Sequence, residues 1–191
     1  MTEGIELFGT WEELTAVSHT HHMTLNAADL STHWRRCSLS SDFWAKYTAL
    51  GVETAVSPPK LPRNAIESIL SYLLNELFEN TAKFSSGPEQ SASYKSWLSD
   101  DYMRFQLRNH IKPEDKADFI DLIQELLNND PDELYFQKLE ANAESDASGS
   151  GLGYLTLIKD YGIQFGFRFQ QSNADSIAVD VQAHVSMDEV D

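Results

Sequence analysis

Cysteine is nearly absent from this 191-residue chain: Cys37 stands alone. No disulfide can form within the chain and no cysteine-rich zinc site is available, which fits a reducing compartment. Basic residues are scarce as well, with 14 Lys and Arg against 30 Asp and Glu, for a formal net charge of −16. Such a surface repels nucleic acid and anionic membranes and favours solubility. No segment approaches the roughly 20 apolar residues that cross a bilayer. The opening MTEGIELFGTWEEL has neither the basic start nor the apolar run of a signal peptide. The expectation is a soluble cytoplasmic protein with no nucleic-acid and no membrane partner. Repeats and low-complexity tracts are absent too.

What is present suits one domain. Hydrophobic residues make up 41% of the chain and 10 Phe, 7 Tyr and 4 Trp are among them, enough for a sizeable core. The pattern divides residues 1–191 into a core over 61–191 and an N-terminal extension over 1–60 packed on it. In the extension, IELFGTW reads as the start of a strand. His19, His21 and His22 in SHTHHM are spaced for a metal, but no acid or cysteine supports them, and a loop is the plainer reading. Ser40 or Ser41 is placed to cap a helix carrying Phe43, Trp44 and Tyr47. That aromatic segment, with Trp34, serves either the core or an interface, and the core is the commoner role. A homodimer stays open for the chain as a whole. VSPPKLP, Val56 to Pro62, is a connection, because three prolines break any ladder.

The clearest element follows. Asn64 is a fitting N-cap with Glu67 as its capping-box partner. Ile66, Ile69, Leu70, Leu73, Leu74, Leu77 and Phe78 then repeat at helical spacing. SSGPEQSAS, Ser85 to Ser93, reads as a loop. YMRFQLRNHI, Tyr102 to Ile111, alternates as a strand does. Pro113 opens a helix, Pro131 a second one, and SDASGSGLG a third over YLTLIKDYG. IQFGFRFQQ and SIAVDVQAHVSM form a hairpin with Asn173 and Asp175 near its turn. The predicted fold class is α+β: a two-layer α/β sandwich with helices packed on one face of a mixed sheet.

On a wheel of roughly 100° per residue, Asn75 and Glu79 lie away from the apolar stripe of this helix and are expected in water, while Phe84 falls near its centre. Asn80 lies ~65° from the stripe's centre and Glu76 ~105° on the same side, with Lys83 following one turn on. These three form a polar row along the edge of the buried face. A carboxylate and a carboxamide one turn apart suit a shared hard cation or a polarised water. A hydrogen-bonded helix margin, with Glu76 and Lys83 as an ion pair, suits the same spacing and is the commoner arrangement. Gly149, Gly151 and Gly153 let backbone N–H groups approach an anion ahead of a helix N-terminus, or simply make a turn.

NELFENTAKFS, Asn75 to Ser85, resembles the N-box of the Bergerat-fold (GHKL) ATPases, which sensor histidine kinases and anti-sigma-factor kinases share. SGSGLGYLTLIKDYG followed by FGFRF resembles their second glycine box, helix and closing strands. HWRRCSLSSDFWAKY, His33 to Tyr47, looks like a segment of small bacterial regulators with a histidine-kinase-like ATPase fold, often encoded beside anti-sigma-factor antagonists of the STAS type. The resemblance runs from about Gly9 to Met187. It implies ATP and Mg²⁺ as cofactors, Glu76 as general base, Asn80 as the Mg²⁺ ligand, Lys83 near the phosphates, and Gly149, Gly151 and Gly153 at the triphosphate.

The family's first glycine box is missing: no glycine stands between Ile111 and Gly149. The adenine-binding Asp of that box therefore has no clear counterpart, Asp118 or Asp121 filling its place only by coincidence, although Asn109 matches a position that is often Asn. The function implied is a partner-switching regulator acting on a STAS-domain protein. It is either a serine/threonine kinase or a kinase-like module that binds without chemistry. No phospho-acceptor histidine motif is present.

Overall fold

The computed structural model describes residues 4–13, 19–26, 34–55, 61–85, 91–98, 102–144 and 151–187. Its sheet is built from alternation. Along Tyr102–Ile111 every second residue (Met103, Phe105, Leu107, Asn109, Ile111) is buried and those between are half-buried. Six strands join: β1 (Ile5–Gly9), β2 (His19–Asn26), β3 (Ser91–Leu98), β4 (Tyr102–Ile111), β5 (Gln164–Asn173) and β6 (Ser176–Ser186). Their order across the sheet is β1-β5-β6-β4-β3-β2.

Every hydrogen-bonded pair is antiparallel, so the sheet is not mixed as the sequence pattern suggested. The reason is topological. β4 and β5 run parallel and are joined by a helical crossover, but β6, which turns back from β5 through Asn173 and Asp175, slots between them. Antiparallel pairing is also the stronger ladder per residue.

Five helices complete the described residues: α1 (Trp34–Ala55), α2 (Arg63–Phe84), α3 (Lys116–Asn128, entered through a 3₁₀ turn at Pro113–Asp115), α4 (Pro131–Glu144) and α5 (Leu152–Tyr161). They cover one face of the sheet, and aromatic contacts tie the two layers together. Trp44 of α1 and Phe78 of α2 meet Tyr94, Phe119 of α3 meets Phe167 and Phe169, and Tyr154 of α5 meets Phe165. The α+β two-layer sandwich is thus as expected. The stretch before residue 61 supplies both edge strands and the helix that packs along α2. No helix of the described residues is long and apolar enough to cross a membrane.

Several local expectations are corrected. His19, His21 and His22 lie in strand β2, not a loop, because Met23 and Leu25 pack against the core at alternate positions. Among the described residues no group of three or more His, Cys, Asp or Glu is arranged for a metal. Ser91 to Ser93 already belong to β3. Their serines read as loop, yet Ala92, Tyr94, Ser96 and Leu98 bury one face. α1 begins at Trp34, well before Ser40, and Ser41 sits inside the helix with its hydroxyl donating to the Ser38 carbonyl. α2 begins at Arg63 after an extended Pro62, whose carbonyl accepts from Ala65 and Ile66. Asn64 makes no cap, and Glu67 reaches back to Arg63 instead. Phe84, expected near the buried stripe, is 45% exposed at the helix end.

The helix-free face is polar. Asp180, fully buried on central strand β6, accepts from Arg108, Arg168 and Gln106. Thr10–Glu13 straps across this face, where Gln182 exchanges two hydrogen bonds with the Glu12 backbone and Arg168 stacks over Trp11.

Candidate functional site

Helix α2 buries Leu70, Leu73, Leu77 and Thr81 against the sheet, and this fixes which of its edges faces α5. Glu76, Asn80 and Lys83 line that edge, and the start of α5 closes the other side. Between them lies a cavity of about 450 Å³, a size ordinary for a small-molecule site. Its wall holds Glu76, Asn80, Lys83, Gly151 and Gly153, all singled out from the sequence, together with Glu79, Asp115, Asp118, Phe119, Leu122, Lys138 and Tyr154. Gly149 lies outside the described residues.

Two glycines allow the close approach. Gly151 takes the left-handed conformation (φ 70°) at the N-terminal end of α5, and a Cβ there would stand 2.8 Å from Leu122 Cδ1. Gly153 sits in the first turn of α5. A Cβ there would fall 1.8 Å from Glu76 Oε2, so the Glu76 carboxylate rests directly on the bare Cα of Gly153. That position is electrostatically sensible, since a helix N-terminus favours negative charge.

Burial pushes the Glu76 carboxyl above its ordinary range. Neighbouring Glu79 adds to the rise and Lys83 offsets part of it. A proton acceptor moved in this direction is better matched to work near neutral pH. Tyr154 is buried beside Asn80 in the cavity wall, and that burial pushes its hydroxyl pKa far up.

Glu79 differs from expectation. With Asn75 it was expected in water, yet both are half-buried, Asn75 Nδ2 donates to Glu79 Oε1 at 2.9 Å, and Glu79 lines the cavity. The cause is α1, which packs along α2 and brings Cys37 within electrostatic range of Glu79. A helical wheel of α2 alone carries no trace of that cover. Of the two acids weighed for the missing glycine box, Asp118 lines the cavity and Asp121 is exposed away from it. Asn109 is buried and borders a crevice beside the cavity, with Thr81 and Asn80. Tyr154, Leu122 and Lys138 were not singled out from the sequence. Tyr154, directly after Gly153 at the start of the α5 apolar face, was the one with a legible signal.

Four carboxylates (Glu76, Glu79, Asp115, Asp118) face two lysines (Lys83, Lys138) in this wall, and Lys138 is already paired with Glu125 at 2.7 Å. A bare polyanion meets repulsion here. A divalent cation bound to the polyanion would offset it, and Asn80 could offer that cation one neutral oxygen.

No family model matches the chain, and no curated protein matches it either. The fold has a solved counterpart. A chain of the crystal structure of the SiaB–SiaC complex from Pseudomonas aeruginosa superposes with a TM-score of 0.53, over 79% of this chain and 85% of that one, at 14% sequence identity. At that identity the likeness is one of fold.

Proposed function

We propose that this chain is a partner-switching signalling regulator whose cavity takes ATP with Mg²⁺ and whose target is a STAS-domain protein of the anti-sigma-factor-antagonist type. The observation that carries the reading is the convergence of Glu76, Asn80 and Lys83 from one helix edge with Gly151 and Gly153 from another helix start around one cavity. The structural counterpart, crystallised as a complex of two different proteins, supports a protein partner.

The residues fit a nucleotide on one condition, that a cation accompanies it. Gly151 opens the positive end of α5. Asn80 would be the neutral ligand for Mg²⁺, and Lys83 in the same wall would pair with a phosphate. Asp118, exposed in the same wall, would accept a hydrogen bond from a purine amino group. When bound, ATP would supply the phosphoryl group and Mg²⁺ would spread its charge. Glu76 would take the proton of a partner serine or threonine hydroxyl as that oxygen gains the phosphoryl group and ADP departs.

A second reading, a holder of its partner without chemistry, draws on the resting place of Glu76. Its carboxylate lies on Gly153, on the first turn to which a phosphate would come. Calorimetry with ATP and ADP, with and without Mg²⁺, tests the site in the wild type and in Asn80→Ala. The expected result is Mg²⁺-dependent binding that the variant loses; no binding by the wild type leaves the holder. Labelled ATP and a STAS protein then test transfer. Transfer that survives Glu76→Gln removes Glu76 from its role as base.

A further inference from the structure

The outward face of α1 carries an apolar stripe flanked by charges. Leu39, Phe43, Tyr47 and Leu50 are 69%, 59%, 46% and 46% exposed, and at helical spacing they form one stripe. The stripe lies roughly opposite the face on which Cys37, Ala45, Thr48 and Val52 are buried. Its rings are already arranged: Phe43 and Tyr47 stack with centroids 6.2 Å apart, and Trp44 braces both edge-on. His21 of β2 supports Tyr47 from the side. Rings held in place lose little freedom on docking, and a clustered apolar patch on a soluble surface marks an interaction site.

The stripe also reads alike in both directions along the helix. Leu39 lies five residues from Trp34 and Leu50 five residues from Ala55, so the stripe is centred on the helix. Phe43 and Tyr47 stand nine and eight residues in from the same two ends, and Asp42 and Lys46 stand eight and nine. An antiparallel copy of α1 laid across it would set Leu39 against Leu50, Phe43 against Tyr47 and Asp42 against Lys46. A two-fold interface requires such self-complementarity, because the same patch must serve both partners. Arg35 and Arg36, in the first turn, would lie over the negative end of the partner helix. Elsewhere a net charge of −16 sets copies of the chain against one another, whereas this face carries more cations than acids.

We propose that α1 is a homodimer interface, in which two copies pack this stripe antiparallel about a two-fold axis near Trp44 and Ala45. The inference is independent of what the cavity binds.

Sedimentation over a wide concentration range tests the association, and paired cysteines test its geometry. The wild type is expected to reach twice its 21.6 kDa mass. Phe43→Glu is expected to raise the dissociation constant by about a hundredfold or more, since each of the two copies loses a buried ring. Phe43 is exposed in the single chain, so a far-UV circular dichroism spectrum matching the wild type, with melting compared at concentrations where the wild type is monomeric, shows that the variant still folds. A mixture of Leu39→Cys and Leu50→Cys chains is expected to cross-link with a short thiol reagent. Either chain alone is not, because like positions would lie about 16 Å apart. Cys37 is buried and stays silent. A wild type that remains monomeric overturns the proposal, even where the stripe captures a different protein. So does a dimer that Phe43→Glu leaves intact, or one that cross-links Leu39→Cys to itself.

Discussion

Replacing Gly153 with Ala separates two roles for that glycine, as a packing notch for Glu76 and as a backbone necessity. The new methyl carbon would fall 1.8 Å from Glu76 Oε2 and 2.1 Å from its Cδ, with no other group among the nearest contacts. Gly153 is helical without positive φ, so the backbone accepts Ala. In a helix Ala is favoured over Gly by roughly 0.5–1 kcal/mol. Against this stands the cost of displacing one carboxylate at the end of a flexible side chain, and that carboxylate gains water as it leaves. The two terms nearly cancel, and the net change is expected within about 1 kcal/mol, or about 2–4 °C in Tm for a chain of this size. The effect belongs in the titration. Once Glu76 swings into solvent, its carboxyl should fall back toward the ordinary glutamate range. Differential scanning calorimetry together with carboxyl NMR over a pH series reads both quantities. A Tm loss beyond about 10 °C, or a Glu76 titration identical to the wild type, would falsify the notch and show that helix α5 itself had moved.

Glu76→Gln follows from the same burial. A carboxyl raised in the folded state holds its proton more tightly there than in the unfolded chain. Stability therefore falls as pH rises from the ordinary glutamate value through the raised one. The amide should stabilise the fold above that window and leave it unchanged below, and urea melts at pH 3.5 and pH 7.5 check the difference. On the helix-free face, Asp180 is fully buried beneath Arg108, Arg168 and Gln106. Asp180→Ala strands two guanidiniums and should cost about 3–5 kcal/mol in chemical denaturation; a loss under about 1 kcal/mol would mean that the strap Thr10–Glu13 re-pairs them. His184 has its pKa lowered by burial and by Arg104. The folded state resists its protonation, so stability should decline as pH falls below the ordinary histidine value, and His184→Gln should flatten that part of the profile.

Periodic elements were legible before any coordinates. The α2 stripe from Ile66 to Phe78, the β4 alternation, the helix after Gly151 and the hairpin through Asn173 each satisfy one spacing rule over ten residues or more. Caps and short polar strands were not. Asn64 loses to Pro62 as the start of α2 because the proline carbonyl already accepts the first helical bonds. Strands β2 and β3 carry Ser, Thr and His at alternate positions, which suit a loop equally well until Tyr94 and Leu98 find helices to pack against.

The same division runs through the site and ends with it. Glu76, Asn80 and Lys83 sit together because one helix turns by a fixed angle per residue, and local geometry of that kind is written in the chain. Which groups face them is decided by elements distant in sequence. α1 covers part of Glu79, the crossover after β4 brings in Asp115 and Asp118, and the first turn of α5 comes near enough for Gly153 to meet a carboxylate. Periodicity is a property of neighbours along the chain. A cavity is a property of neighbours in space, and only the packing of the whole sandwich chooses those.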